Sequence, residues 1–356
     1  MTQATGAPPR TVLVTGAGGF IGGHLVRALL DDGAVPLRAV NVRAVDKKPL
    51  DGWFQHDSRA SVRVADLRDR AAAAAAVEGV DEVYNLACNM GGMGFIESHK
   101  ADCMASVTIN TNLAEAAARA GVERYFYASS ACVYAQERQR DAEVTALVEA
   151  DAYPADPEDG YGWEKLFSER MCRHAREEWG LETRVARFHN VYGPFGAFEG
   201  GREKAPAAIC RKVASAVLEG HDSIEIWGDG QQTRSFLWIE DCLAGIRAIQ
   251  RGDAAEPVNL GASELVSIDD LVSIIEGIAG VSLRRRYRLD APRGVRGRNS
   301  DNTEFERRYG WAPATTLVDG LTATYRWIFE RMVAARGTLR PAERMASRAA
   351  RTQETA

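Results

Sequence analysis

The spacing of apolar residues changes period along this chain. Arg10 to Val14 is a short β-rich run that stops at Thr15-Gly16. Helical spacing takes over from Gly19 to Leu30, with Ile21, Leu25, Ala28 and Leu29 on one face. The next runs predict strands ending near Val45-Asp46, at Ala65-Asp66 and over Val83 to Ala87, with an Ala-rich helix over Ala71 to Val77. A helix over Met104 to Ala120 should close on Gly121. A strand over Tyr125 to Ala128, a long helix over Tyr161 to Glu178 and a strand over Thr183 to Phe188 follow. Strands alternating with helices predict an α/β fold, a Rossmann-type doubly wound parallel sheet with helices on both faces.

After Asn190 the pattern changes. Gly193 to Ala205 is rich in Gly, Pro and charge and reads as a loop. It leads into a helix over Pro206 to Leu218, a strand over Ser223 to Trp227, a Gly228-Asp229-Gly230 turn, and helices over Leu265 to Gly280 and Val318 to Ala335. These predict a smaller α/β C-terminal substrate domain covering the sheet edge. The expected division gives residues 10–190, with a return segment at about 232–262, to the Rossmann domain. Residues 191–231 and 263–335 form the second domain, and 1–9 and 337–356 are flexible tails.

Composition narrows the classes without choosing one. The 356 residues carry a net charge of −5, which argues against a nucleic-acid partner. No apolar run reaches the roughly 18 residues a bilayer span requires, and Met1 to Pro9 lacks the apolar segment of a signal peptide. Cys88, Cys103, Cys132, Cys172, Cys210 and Cys242 form no C-x-x-C pair and have no zinc spacing to histidine. They suit a reduced, cytoplasmic protein without a metal centre.

Candidate chemistry begins at Thr15-Gly16-Ala17-Gly18-Gly19-Phe20-Ile21-Gly22. Gly16 permits a tight turn, Gly19 a close approach to a pyrophosphate, and Gly22 close packing of helix on strand. Such a loop before a helix points to a dinucleotide, with the phosphates at the helix N-terminus. Asp46, at the end of the second strand, can accept both ribose hydroxyls and repel a 2′-phosphate, which favours NAD over NADP. Lys47 and Lys48 pull the other way. Asp66 and Leu67 are placed to meet the adenine, and Phe20, Ile21 and Leu86 complete the cofactor set. Tyr161 and Lys165 stand four residues apart on one helical face, behind Ser129-Ser130 at a strand end. The ammonium is expected to lower the phenol pKa, so that Tyr161 exchanges a proton with a substrate hydroxyl.

These motifs, from Arg10 to about Arg336, resemble the extended short-chain dehydrogenase/reductase family, the NAD-dependent epimerases and dehydratases of nucleotide sugars. The resemblance implies that Ser130 orients the reacting hydroxyl, that Lys165 also holds the nicotinamide ribose, and that two helices per subunit build a homodimer. It extends, within the family, to epimerases of GDP-hexoses. The segments that carry this are Asn89-Met90-Gly91-Gly92-Met93-Gly94, Ser129-Ser130-Ala131-Cys132-Val133-Tyr134 and Glu199-Gly200-Gly201-Arg202-Glu203-Lys204-Ala205-Pro206. Gln232-Thr233-Arg234 and Val295-Arg296-Gly297-Arg298 add to them. The resemblance implies Cys132 and Lys204 as an acid/base pair. They would invert C5 and C3 beside a C4 ketone formed and re-reduced within one turnover. It implies substrate contacts from Gly91, Ser130, Ala131, Cys132, Asn190, Glu203, Lys204, Ala205, Lys212, Gln232, Thr233, Arg234 and Arg298. Asn89 stands where an aspartate is expected. A C5-only (L-gulose-forming) or altered-substrate epimerase, a 4-epimerase and a 4,6-dehydratase stay open. Dehydratases typically carry an Asp-Glu pair where this chain has Ala131-Cys132.

Overall fold

The computed structural model describes residues 10–32 and 40–338. The expected tails, residues 1–9 and 339–356, lie outside the described residues; Gly337 and Thr338 instead close the last helix.

Seven parallel strands form the main sheet: β1 (Arg10–Thr15), β2 (Val40–Asp46), β3 (Ser61–Val64), β4 (Glu82–Asn85), β5 (Arg124–Ser130), β6 (Thr183–Phe188) and, last in the chain, β11 (Val258–Leu260). Their spatial order is β11-β6-β5-β4-β1-β2-β3. The chain therefore builds outward in one direction from β1 and in the other from β4, and the crevice for a ligand opens between those two strands. Helices α1 (Phe20–Asp32) and α8 (Ile239–Arg251) cover one face, where Leu25, Leu29, Ile246 and Ile249 meet Val12, Val14 and Val42. Helices α2 (Arg70–Val77), α5 (Ser106–Ala120) and α6 (Tyr161–Trp179) cover the other, burying Ala73, Leu113, Ala117, Cys172 and Ala175 on Leu13, Val83, Tyr125 and Tyr127. Burial on both faces accounts for the apolar run Val12–Val14 of β1. Gly121, left-handed at φ 72°, ends α5 as anticipated, its N–H reaching the carbonyls of Ala117 and Ala118. Two short helices, α3 (Met93–Ser98) and α4 (Lys100–Met104), precede α5.

The C-terminal elements are β7 (Val191–Tyr192), α7 (Ala205–Glu219), β8 (Ser223–Trp227), β9 (Thr233–Ser235), β10 (Leu237–Trp238), β12 (Leu265–Ser267), α9 (Ile268–Ala279), β13 (Arg284–Arg288), β14 (Gly297–Arg298), α10 (Thr303–Tyr309) and α11 (Leu317–Thr338). Helices α7, α9 and α11 share a third core around Val213, Leu271, Ile275, Leu321 and Ile328. α10 lies on the edge strand β11, but the loop before α7 meets the sheet above the carboxyl end of β4, where Gly92 N–H donates to Arg202 O at 3.0 Å. One expected helix is shorter than its apolar spacing suggested. Leu265–Ser267 pairs antiparallel with β9, and the helix starts only at Ile268. The reason is a capping box: Ser267 Oγ accepts from Asp270 N–H, and the Asp270 carboxylate accepts from Ser267 N–H.

Candidate active site

The glycine loop is built by close approach. Gly16 has φ +68°, and a β-carbon there would lie 2.8 Å from the Leu86 carbonyl at the end of β4. A β-carbon on Gly22 would lie 2.2 Å from Gly16 O. The first turn of α1, with Phe20 and Ile21, therefore rests directly on the loop, its leading N–H groups at the crevice. Asp46 secures the loop from the next strand, its Oδ2 accepting from Gly18 N–H (3.0 Å) and its Oδ1 from Lys48 N–H (2.8 Å). The Lys48 ammonium is spent on Gly18 O at 2.8 Å. This cradle fits the diphosphate and ribose of a dinucleotide, and Asp46 retains lone pairs for hydroxyl donors. Asp66 is half-exposed and paired with Arg68, while Asp69 caps α2 and Leu67 is buried.

The chemical residues stand at the carboxyl ends of β4, β5 and β6. Tyr161 opens α6, and the Lys165 ammonium lies 5.4 Å from its ring centroid and donates to Ala128 O at 3.0 Å. Beneath them Glu164, buried in turn, accepts from Asn110 and Tyr127 and faces Lys165 at 3.6 Å. Burial works to lower the Lys165 pKa, but Cys88 and Glu164 outweigh it and the ammonium is held firmly charged. The phenol departs from expectation. Burial, reinforced by Cys88, Cys132 and Glu164, pushes Tyr161 well above its ordinary range, and hydrogen bonding with Ser130 only partly opposes this. The neighbouring ammonium does not set the net direction.

Cys132 follows Ser130 on a short 3-10 turn, its N–H bonded to Ser130 Oγ at 3.2 Å, with Ala131 buried beside it. Burial first, then Glu158, raises its thiol to about 11. Lys204 stands at the N-cap position of α7 without a side-chain capping bond, and Cys132 and Cys88 act on its ammonium electrostatically. Burial lowers its pKa against the opposing pull of Cys132 and Cys88, which favours the neutral amine more than in an exposed lysine. The loop that carries it is clamped: Gly92 passes so close that a β-carbon would lie 2.2 Å from Glu203 O, and Gly91 crosses Arg202 just before it. Arg202 donates to Asn89 Oδ1 and Met90 O, both at 3.0 Å.

The remaining expected substrate residues fall into two groups. Arg298, Gln232, Thr233 and Arg234 come together on and beside the β9–β14 pair. Arg234 is buried and spends its donors on the carbonyls of Thr233, Arg293, Val295 and Arg296, with no carboxylate bonded to it among the described residues. Burial, then Arg298, lowers its pKa to about 9. Asn190 takes a left-handed backbone (φ 46°) and donates to Ser235 O, which ties β6 to β9. Glu203, Ala205 and Lys212 lie on the Lys204 loop and α7, and Lys212 donates to Glu225 O. Two site residues were not read from the sequence. Glu158 and Gln139 both bond the Arg298 guanidinium, which also donates to Cys132 Sγ at 3.5 Å. A separate crevice between α1 and residues 53–57 touches none of Ser130, Cys132, Tyr161 and Lys204.

A nucleotide cradle, a Ser-Tyr-Lys set and an added thiol and amine define a Rossmann enzyme that works on a substrate hydroxyl and its neighbours. Residues 12–261 match the NAD dependent epimerase/dehydratase family, and the chain belongs to it, with NAD as its cofactor. It is 45% identical over 322 residues to GDP-mannose 3,5-epimerase 1 of Oryza sativa subsp. japonica, covering 90% of this chain and 82% of that one. GDP-mannose 3,5-epimerase of Arabidopsis thaliana is 43% identical over the same span. Among solved structures, UDP-glucuronic acid 4-epimerase from Bacillus cereus, in complex with UDP-glucuronic acid and NAD, superposes with TM-score 0.76 at 26% identity. That match covers 90% of this chain and 99% of the other.

Proposed function

We propose that this chain epimerises a GDP-hexose, GDP-mannose first among candidates, inverting C5 and C3 next to a transient C4 ketone. One observation supports the reading: the loop that carries Lys204 is pinned on Gly91 and Gly92 beyond β4, while Cys132 sits beside Ser130 on the turn after the adjacent strand β5, and the two buried groups influence each other electrostatically. NAD, when bound, supplies the acceptor and later the donor of the C4 hydride. Tyr161 exchanges the C4 hydroxyl proton while Ser130 orients that hydroxyl. A C4 carbonyl acidifies the protons on C3 and C5, and a proton taken on one face by one of the pair and delivered on the other face by its partner inverts the centre. Arg234, a buried cation with no carboxylate bonded to it among the described residues, suits the GDP diphosphate. A 4-epimerase has no use for the pair. A dehydratase needs a protonated carboxyl group, and Glu158 is held ionised by Arg298 against the opposing effect of burial.

Incubation with GDP-mannose in D2O tests the reading. Deuterium at C5 and C3 is the expected result; deuterium at C5 alone moves the assignment to a C5-epimerase, and no exchange with any GDP-hexose overturns it.

We also read the protein as a cytoplasmic homodimer through helices 104–120 and 161–178. Trp163 and Phe167, one turn apart on α6 and 43% and 50% exposed, support a covered face. Six unpaired cysteines suit a reducing compartment.

A further inference from the structure

The expected acid/base residue Cys132 is enclosed by a polar ring that the reaction scheme leaves without a task. Cys132, Gln139, Glu158 and Arg298 are each less than one-tenth exposed. All three nitrogens of Arg298 are committed: Nε to Gln139 Oε1 at 2.6 Å, Nη1 to Cys132 Sγ at 3.5 Å and Nη2 to Glu158 Oε1. The backbone fixes the same partners, because Glu158 N–H donates to Cys132 O at 3.0 Å. Gly162 packs so tightly on that carbonyl that a β-carbon would stand 2.3 Å away. One oxygen of the ring is left over: Glu158 Oε2 is buried and accepts from no N–H or O–H group, and the donor that the carboxylate faces is the Cys132 thiol. A buried carboxylate oxygen short of donors is costly, and the fold keeps it beside a thiol.

We propose that Glu158 is a positioning residue for Cys132: its carboxylate, anchored by Arg298, faces the thiol and keeps the sulfur protonated in the resting enzyme. The proposal rests on the epimerase reading for its catalytic meaning, but its physical content concerns the thiol alone. A fixed negative charge beside a buried thiol disfavours the thiolate, and the Arg298 guanidinium that would stabilise a thiolate is already neutralised by the same carboxylate. The other charged or titratable groups that act on this pocket are Arg234, Lys204, Tyr161 and Lys165, and they remain in place when Glu158 is changed. With Glu158 ionised, Cys132 enters the cycle carrying its proton, which it can give to the carbanion formed beside the C4 ketone.

The test is the pH dependence of Cys132 alkylation by iodoacetamide, read peptide by peptide on the full-length protein, in wild type, Glu158→Gln and Glu158→Asp. Glu158→Gln should lower the Cys132 alkylation midpoint by roughly 1 unit or more, as removal of an adjacent like charge does. Glu158→Asp, which keeps the charge but sets it farther from the sulfur, should give a midpoint between wild type and Glu158→Gln, and Cys172, outside the ring, should not change in either variant. An unchanged Cys132 midpoint in a Glu158→Gln protein that still binds NAD overturns the proposal. If Glu158→Gln does not fold, Glu158→Asp decides: a longer reach from carboxylate to sulfur must lower the midpoint, and no change overturns the proposal. The readout needs no substrate, so absence of epimerase activity would sink the functional reading while leaving this result standing.

Discussion

Replacing Arg298 by Met should be far more damaging than replacing Arg298 and Glu158 together. The guanidinium and the carboxylate have side-chain exposures of only 5% and 8%. Removing one partner of such a pair leaves the other as an uncompensated buried charge, which costs about 3–5 kcal/mol. Arg298→Met keeps most of the volume, so the loss is electrostatic rather than a cavity. In the double variant with Glu158→Gln no charge is stranded, and about 2 kcal/mol or more of the loss should return as coupling between the two positions. The pH dependence supplies a second check. In the intact protein burial works to raise the Glu158 pKa, but Arg298 overrides it and holds the carboxyl below its usual 4.5. Glu158 therefore contributes stability above about pH 4.5 that is lost as pH falls through the lower folded value. Without Arg298, burial, the largest influence, is opposed only by the smaller effects of Cys132 and Arg234, and the folded pKa should rise above the unfolded one. Arg298→Met should then gain stability as pH falls from 7 toward 5, while wild type should show no such gain from this group. Urea unfolding followed by tryptophan fluorescence at pH 7 and pH 5 measures both. Strictly additive losses, or a single variant with the wild-type pH trend, would refute the claim that these two groups hold each other.

Gly22→Ala places a methyl 2.2 Å from Gly16 O, and overpacking of about 1–3 kcal/mol at the cradle should weaken NAD binding roughly tenfold or more, measured by calorimetry. Lys204→Met should abolish deuterium incorporation while a transient absorbance of reduced cofactor at 340 nm persists, since Tyr161 and Lys165 are untouched. Because burial lowers the Lys204 pKa, wild type should gain stability as pH rises through the folded value toward 10.5, and Lys204→Met should flatten that slope in thermal unfolding. Phe167→Glu, at a position half exposed on α6, should convert a dimer to monomer in light scattering without loss of the fold.

What could be read from the chain was what depends on neighbours in sequence. Gly16, Gly19 and Gly22, the Tyr161–Lys165 spacing and the cap at Gly121 are local patterns, and local backbone rules decide them. The ring around Cys132 is not local: Gln139 and Glu158 meet Arg298 across 159 and 140 residues. In the sequence Glu158 is one acid among Asp156, Glu158 and Asp159 in a proline-containing loop, the look of a solvated turn. The start of α9 differs from the expectation because the two apolar residues before Ser267, Leu265 and Val266, fit a strand as well as a helix, and only the pairing with β9 decides. The upward shift of Tyr161 was hidden for a similar reason. Spacing shows the ammonium, but the burial and the two sulfurs that outweigh it come from other strands.

The clasp of Arg202 on Asn89 and Met90 bears on fidelity rather than speed. Lys204 lies two residues along from that clasp, so the span between amine and thiol is set by how firmly one loop grips another. On the epimerase reading, a slackened grip would let the planar intermediate be reprotonated on the face it came from. The error would then appear as returned starting sugar and partly inverted products, a stereochemical leak in an enzyme whose hydride chemistry still runs.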